Sequence, residues 1–268
     1  MRFMGLAVLL SGTALGQSTI VSDDFNRTSL NTSIWTYTDP RGDATMSITG
    51  AGTTNARFTV SLPAGVSHDV WAGDNTAPRI MQSANDTDFE LEVKFEAGMS
   101  SAFQGQGVLV QQDADNFIRF DFYSNGLGTR LFSASFVSGT PTVRVDSNIA
   151  ANGTSPLWLR VKRETNDWTQ SYSTDGSTFT SMPVYSHTLT VSSVGVFIGN
   201  SANPGTSPPA FTGRVDYFFN TASPISPEDG NTLPSFTSQP SNTTVVQGNT
   251  ATFNVRATGT PAPTFQWQ

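Results

Sequence analysis

The chain has 268 residues, 37% of them hydrophobic and 13% charged, which is enough apolar material for one large domain or two smaller ones. Its net charge of -7 argues against a nucleic-acid partner, because phosphate binding needs a basic surface, and favours a neutral or cationic ligand. The absence of cysteine excludes thiol catalysis and cysteine-bound zinc, and two histidines cannot form a three-histidine metal site.

Residues 1–16 have the pattern of a signal peptide. Arg2 supplies a positive charge, residues 3–10 are apolar, and residues 14–16 offer small side chains before a cut at Gln17. A buried N-terminal strand is the alternative interpretation. No later stretch reaches the ~18 apolar residues of a membrane-spanning helix. We therefore expect a secreted or cell-surface protein, and export without disulfides favours a bacterial source.

Residues 17–222 are predicted to form one all-β domain. Turn signals such as Asn125-Gly126 recur along this segment, and no stretch keeps the 3.6-residue period of a long helix. Asp175-Gly176 lies between two strand-like stretches, residues 168–173 and 179–182, and predicts a hairpin there. Closely spaced strands without intervening helices favour a sandwich or a jelly roll.

Alternating side chains predict which residues enter the core, because neighbouring positions of a strand point to opposite faces. The inward set is Ile118, Phe120, Phe122, Leu157, Leu159 and Val161, and residues Phe89, Leu91, Val93 and Phe95 follow the same rule. The outward set is Arg119, Asp121, Tyr123, Trp158, Arg160 and Lys162. Its mixture of aromatic and charged groups favours a binding surface over ordinary solvent cover.

Residues 223–233 have the Pro, Ser, Asp and Gly content of a linker. Residues 234–268 then resemble the first strands of a bacterial immunoglobulin-like domain, with Phe253 at the position of the strand-B cysteine and Trp267 as the strand-C tryptophan. Such a domain needs about seven strands. We therefore expect an incomplete unit and further domains of a longer modular protein.

Several strings in the main domain resemble a known fold family: Ser22-Asp23-Asp24-Phe25, His68-Asp69-Val70-Trp71, Gln112 to Phe120, and Tyr172 to Gly176. They are similar to concanavalin A-like jelly-roll sandwiches such as the C-terminal domain of family 43 β-xylosidases and related exported bacterial proteins. This resemblance implies two curved antiparallel sheets with a ligand on the concave one. It is weakly specific for activity, because the fold hosts lectins, glucanases, lyases and inert modules.

A saccharide site needs flat aromatic faces together with amide, carboxylate or guanidinium groups. The candidate ligand-binding residues are His68, Trp71, Arg79, Gln82, Arg119, Asp121, Tyr123, Trp158 and Arg160. The His68–Gln82 segment concentrates such groups and is expected to form a loop over the binding face. A core position for each tryptophan, and a simple charge pair for Arg119 with Asp121, are the alternatives.

Glycoside hydrolysis needs two carboxyl groups, roughly 5–5.5 Å apart for retention and 6.5–9.5 Å for inversion. Glu90 and Glu92 lie two positions apart on one strand face and are the candidate pair, although a solvated strand face explains them equally well. The Glu-x-Asp-x-x-Glu motif of concanavalin A-like glucanases does not occur. The sequence therefore favours a non-catalytic module and leaves catalysis open.

A structural calcium ion is a further expectation. In related sandwiches the terminal strands lie side by side and hold such an ion, which implies Asp24 and Asp216 as ligands. Ordinary surface carboxylates are the alternative.

The favoured function is an exported carbohydrate-binding module for a polysaccharide or oligosaccharide. A divergent glycoside hydrolase or polysaccharide lyase, and a cell-surface adhesion or spacer module, are the two alternatives.

Overall fold

The computed structural model describes residues 20–230, 234–259 and 265–266, so the predicted signal peptide and Trp267 lie outside the described residues. The described part is built from strands and turns. The strands are β1 Thr36–Thr38, β2 Thr45–Thr49, β3 Arg57–Leu62, β4 Val70–Trp71, β5 Asp74–Asn75, β6 Arg79–Ser83, β7 Phe89–Phe95, β8 Gln104–Gln111, β9 Phe117–Ser124, β10 Gly128–Val137, β11 Thr140–Ala151, β12 Leu157–Glu164, β13 Asp167–Ser173, β14 Thr180–Ser181, β15 Tyr185–Ser186, β16 Ser193–Asn200, β17 Phe211–Asn220, β18 Ser235–Ser238 and β19 Arg256–Thr258. Within the described ranges, the structure contains no helix that could cross a bilayer.

Two antiparallel sheets form the main domain and confirm the predicted all-β jelly-roll sandwich. The seven-stranded sheet has the order β1-β6-β16-β8-β9-β10-β11. The eight-stranded sheet has the order β14-β13-β12-β7-β17-β3-β2, with β15 paired to β13. Strands that are distant in sequence lie side by side, as β7 does with β17, so the fold depends on long-range pairing.

The core fills the space between the two sheets. Ile118, Phe120 and Phe122 of β9 are fully buried there and face Leu91 and Val161 of the other sheet across one continuous cluster. The inward residues predicted on β7, β9 and β12 are confirmed as core residues. Burying each large apolar side chain contributes about 1.5–3 kcal/mol, so this alternation fixes which face of each strand turns inward.

The predicted hairpin at Asp175-Gly176 is also present. Strands β13 and β14 pair antiparallel across it, with Tyr172 opposite Thr180. Gly176 has a φ of 73° and lies directly under the Trp158 ring, where a Cβ atom would come within 2.8 Å of the indole. Any other residue at this position would therefore have a strained backbone conformation and a side chain that clashes with Trp158.

The immunoglobulin-like segment is represented by one pair of short strands, β18 and β19. Phe253, expected at a buried strand-B position, is 50% exposed, and Val246 is also exposed. Only a few strands of an immunoglobulin-like fold are present in the described residues, so these apolar side chains have no second sheet to pack against.

Candidate functional site

A cavity of about 360 Å³ opens on the outer face of the seven-stranded sheet, the face turned away from the core. Its volume falls within the range of small-molecule sites. The lining residues are Asp69, Trp71, Phe103, Gly105, Arg119, Tyr123, Phe132, Val143, Phe197, Gly199, Asn200, Ser201, Ala202 and Asn203. Strands β8, β9, β10 and β16 supply its floor, and the loops around residues 67–77 and 201–203 supply its rim.

The loop of residues 67–77 folds over this outer face because it carries apolar side chains that the sheet buries. Val70 and Ala77 pack with Phe117, Phe136 and Phe197 in a second apolar cluster, separate from the core. His68 anchors the loop to β16. Its backbone pairs with Asn200, its Nδ1 lies 2.8 Å from Asn200 Oδ1, and its Nε2 lies 2.7 Å from Asp43 Oδ1.

Arg119 forms the charged centre of the floor. Its Nε and NH2 groups donate to the two carboxylate oxygens of Asp121 at 2.8 and 2.9 Å, and NH1 donates to Asp69 Oδ1 at 3.0 Å and to the Val70 carbonyl at 2.7 Å. Burial acts to lower the pKa of the Arg119 guanidinium, but the charges of Asp121 and Asp69 outweigh it and raise that pKa. Arg119 is therefore a fixed cation whose charge is balanced by two carboxylates.

Aromatic rings line the cavity on several sides. The Arg119 guanidinium lies between Phe132 and Phe197, 5.4 and 5.1 Å from their ring centroids, which adds a cation–π attraction to its ion pairs. Trp71 packs against Phe132 at 5.8 Å, and Tyr123 meets the same ring edge-on at 5.8 Å. These contacts hold each ring in one orientation, so the aromatic faces are in place before any ligand arrives.

The remaining floor is bare backbone. Gly105 of β8 lies opposite Gly199 of β16 and opposite Tyr123 of β9. A side chain at Gly105 would project into the cavity, because the neighbouring positions Gln104 and Gln106 are buried on the inner side. The rim adds polar groups. In the described chain Asp69 Oδ2 has no hydrogen-bond partner, and the Asp69 side chain is 25% exposed.

Comparison with known families places this cavity in a recognised unit. Residues 65–207 match the family described as "Protein of unknown function (DUF1349)", and this match spans more than half of the 268-residue chain. The chain belongs to this family. Every residue that lines the cavity, from Asp69 to Asn203, lies inside the DUF1349 region. Residues 234–268 match the immunoglobulin I-set domain, in agreement with the resemblance predicted for them. No curated protein matches the chain.

Solved structures share the fold of the DUF1349 region and confirm the concanavalin A-like sandwich. A functionally unknown protein from Saccharomyces cerevisiae aligns with a TM-score of 0.53 at 16% identity, over 70% of this chain and 97% of that one. The GH43 BlXynB protein from Bacillus licheniformis aligns with a TM-score of 0.55 at 15% identity, over 74% of this chain and 38% of that one. A xylan beta-1,4-xylosidase from Bacillus halodurans aligns with a TM-score of 0.53 at 14% identity, over 74% of this chain and 38% of that one. This chain therefore spans about two fifths of each of these two proteins.

Three of the nine predicted ligand residues line the cavity of the DUF1349 region: Trp71, Arg119 and Tyr123. Asp121 lies beside Arg119 on the same face of β9 and is fully buried. His68 also lies near the site, but it is fully buried and bonds to Asn200 and Asp43, so it positions the loop rather than facing a ligand. Backbone pairing with β16 turns the ring inward, so His68 does not line the cavity.

Four other predicted residues lie away from the cavity. Trp158 and Arg160 are on β12, in the eight-stranded sheet, so they face outward on the opposite side of the sandwich. Gln82 is buried and exchanges amide hydrogen bonds with the backbone of Val21, which ties down the start of the domain. Arg79 donates to Asn75 beside the apolar cluster under the loop and does not line the cavity. Alternation along a strand identifies an outward face and not the sheet to which it belongs, so the sequence alone could not place these four residues relative to the cavity.

The candidate catalytic pair also lies on the eight-stranded sheet. Glu92 accepts hydrogen bonds from Arg160 Nε at 2.6 Å and from Tyr217 Oη at 2.7 Å, so both of its oxygens are engaged by protein. Glu90 lies opposite Lys162 in the register of β7 with β12. Neither glutamate borders the cavity. Their arrangement is that of outward-facing charge pairs.

Sequence reasoning missed two groups of cavity residues. Phe132 and Phe197 look like core phenylalanines, because a strand buried on both faces shows no alternation, and Phe103 lies in the turn before β8. Asp69 lies two positions before Trp71 in the loop, but nothing in the local sequence marks it as a cavity residue. The predicted calcium ligands, Asp24 and Asp216, stay a prediction. The three carboxylates that come within 4.8 Å of one another are Asp216, Glu228 and Asp229, and Asp24 is not among them.

Proposed function

We propose that the cavity on the outer face of the seven-stranded sheet binds a saccharide without cleaving it. The observation that carries this proposal is one cavity in which the faces of Trp71, Tyr123 and Phe132 meet a fixed arrangement of Arg119 and Asp69. Aromatic faces suit the apolar side of a sugar ring, and a few positioned polar groups suit its hydroxyls.

The charge of the cavity supports a neutral ligand. Arg119 is the one cation among the lining residues, and its guanidinium is already bonded to Asp121 and Asp69. An anionic ligand would have to compete with two carboxylates for that guanidinium, so the cavity does not suit an anion. Hydroxyl groups can instead donate to the unpartnered Asp69 Oδ2 and accept from side chains such as Asn203 on the rim.

The carboxyl groups of the site do not match glycosidase chemistry. Asp69 is the one carboxylate among the lining residues, and the second carboxylate nearby, Asp121, is fully buried beside Arg119. Retaining and inverting glycosidases both need two accessible carboxyl groups across the scissile bond. We therefore favour binding over hydrolysis, and the partly exposed aromatic residues of the cavity favour binding over a plain spacer role.

We also infer that the protein works outside the cell, as a sandwich domain joined to an immunoglobulin-like segment. The support is the signal-peptide pattern of residues 1–16 and the immunoglobulin-like segment that follows the sandwich. Among the proteins that share its fold, the xylosidase from Bacillus halodurans is by its name active on xylan, so xylan and its oligosaccharides are the first ligands to examine.

Affinity electrophoresis of the full chain through gels containing plant, algal or bacterial polysaccharides tests this function. We expect retardation by at least one neutral polysaccharide and its loss in Trp71→Ala, with thermal melts confirming that both proteins are folded. Absence of retardation on the whole panel by the folded protein would overturn the proposal. Release of reducing sugar that disappears in Asp69→Asn would also overturn it, in favour of an enzyme.

A further inference from the structure

Carboxylates gather at a second place, on the outer side of the eight-stranded sheet. After β17 ends at Asn220 the chain turns back, with the Thr221 amide donating to the Glu90 carbonyl at 3.0 Å. This return segment, residues 221–230, brings Glu228 and Asp229 to Asp216, which lies at a bulge of β17. One oxygen from each of the three carboxylates lies within 4.8 Å of the others.

The positive charge near these carboxylates is small. Lys94 Nζ contacts Asp216 Oδ2 at 2.6 Å, but the same ammonium group is shared with Glu96 at 3.2 Å. Glu228 and Asp229 have no ion-pair partner among the described residues. A single shared ammonium therefore faces three clustered carboxylates, which leaves an excess of negative charge.

Several oxygens at this place are buried and make no hydrogen bond. They include Glu228 Oε1 and Asp229 Oδ1, and Asp229 as a residue is 5% exposed. A fourth carboxylate, that of Asp24, also supports a bound cation. Asp24, from the opposite end of the domain, is 6% exposed, its Oδ2 also has no partner, and its charge acts on Asp229. A buried acceptor without a donor costs free energy of folding, so a ligand bound to these oxygens would stabilise the protein.

Electrostatics agree with this geometry. Glu228 and Asp229 lie within 4.8 Å of Asp216, and little solvent reaches Asp229 to screen the repulsion between these carboxylates. Both groups are therefore held in surroundings that oppose their ionised form. A bound cation would supply the missing positive charge.

We propose that Asp216, Glu228 and Asp229 bind a calcium ion, with Asp24 beside them, and that this ion fastens the return segment to the last strand of the sandwich. Calcium takes oxygen ligands at 2.3–2.6 Å, so two ligands on opposite sides of one ion stand up to about 5 Å apart, as these oxygens do. It also accepts irregular geometry more readily than magnesium. All four residues lie outside residues 65–207, so the site is separate from the saccharide cavity and from the part of the chain matched to DUF1349.

The test compares thermal unfolding of the full chain in EDTA, CaCl₂, MgCl₂ and NaCl at matched ionic strength. We expect calcium, far above its dissociation constant, to raise the melting temperature by about 5 °C or more, and magnesium to raise it less. Glu228→Gln and Asp229→Asn should abolish the calcium-dependent rise. In EDTA the same variants should melt at or above the wild-type temperature, because each removes a repelling charge.

The control is Glu164→Gln, an exposed glutamate paired with Lys162, which should leave the calcium response unchanged. Isothermal titration of the EDTA-treated protein with CaCl₂ gives a second readout, with one site expected in the wild type and none in Asp229→Asn. The proposal fails if calcium produces neither heat nor a melting shift, if NaCl produces the same shift, or if Glu228→Gln keeps the full response.

Discussion

Arg119 and Asp121 lie two positions apart on β9, side by side on the outer face of the sheet, and form a pair with two parallel hydrogen bonds of 2.8 and 2.9 Å. Asp121 is fully buried and Arg119 nearly so. The Asp69 carboxylate and two phenylalanine rings complete the surroundings of the guanidinium. The pair thus holds the charged floor of the cavity in place at the cost of desolvating both groups.

Breaking this pair should destabilise the protein strongly. In Asp121→Asn the buried guanidinium loses the opposing charge and one of its two acceptor oxygens, so we expect a loss of about 3–5 kcal/mol in the free energy of unfolding, measured by urea denaturation. Asp146→Asn is the matched control. It removes the carboxylate paired with Arg130 on the same sheet, but the Asp146 side chain is 40% exposed, and about 0–1 kcal/mol is expected. Equal losses in the two variants would show that the buried pair has no special role.

The face that binds the saccharide can be identified with two aromatic substitutions. Tyr123→Ala removes a cavity wall and should weaken retention on the bound polysaccharide by tenfold or more, which corresponds to about 1.4 kcal/mol. Trp158→Ala removes a comparable half-buried ring from the outer face of the other sheet and should leave retention unchanged. The reverse result would move the site to the eight-stranded sheet.

The sequence predicted the core better than the site, for a physical reason. Alternation on β9 correctly assigned Ile118, Phe120 and Phe122 to the interior, because a period of two follows directly from strand geometry. The same alternation put Arg119 and Trp158 together as outward residues, yet they belong to different sheets. Which strands become neighbours is decided by long-range pairing, which no local pattern records.

The return segment shows the same limit more sharply. Its Pro, Ser, Asp and Gly content predicts an extended, solvated linker, and nothing in it signals that Glu228 and Asp229 will meet Asp216. Their meeting depends on a reversal of the chain directly after β17, where Thr221 bonds to the Glu90 carbonyl. Only the folded arrangement brings these charges together.

Glu92 should prove structural rather than catalytic. Its two oxygens accept hydrogen bonds from Arg160 and Tyr217, so Glu92→Gln should weaken these bonds and reduce the free energy of unfolding by about 1 kcal/mol. Saccharide retention should be unaffected, because Glu92 lies on the sheet opposite the cavity. Loss of a polysaccharide-cleaving activity in this variant, with the fold intact, would contradict this assignment.

Acid should weaken the hairpin at residues 173–181 through Asp175. The amides of Thr178 and Ser177 and the Ser173 hydroxyl donate to its carboxylate and lower its pKa below the usual 3.8. A carboxyl whose folded-state pKa is depressed contributes stability that is present above pH 3.8 and is lost as pH falls through the lower folded-state value. Melting temperatures recorded from pH 5 to pH 2 should therefore fall less in Asp175→Asn than in the wild type. An identical decline in the two proteins would place the acid-sensitive group elsewhere.

Substitutions at two glycines of β8 can distinguish the contribution of the cavity floor to binding from its contribution to folding. At Gly105 a Cβ atom would lie 3.4 Å from the Phe122 carbonyl oxygen and 3.6 Å from Tyr123 Cβ, which is close to ordinary contact. At Gly107 it would lie 2.3 Å from both Asp121 Cβ and the Phe120 carbonyl oxygen, a separation that only a shift of the backbone could relieve. The two positions are neighbours on one face of the strand and differ in the space above them.

Gly105→Val should therefore fold with a melting temperature close to that of the wild type and lose saccharide retention, because its methyl groups fill the floor beside Tyr123. Gly107→Ala should lose about 1–3 kcal/mol in the free energy of unfolding, as overpacked interiors do. Urea denaturation and affinity electrophoresis on both variants check the pair. If Gly105→Val were folded and still retained by the polysaccharide with wild-type strength, the ligand would not occupy the space above Gly105. The saccharide would then have to bind nearer the Trp71 side of the cavity, which the valine side chain does not reach.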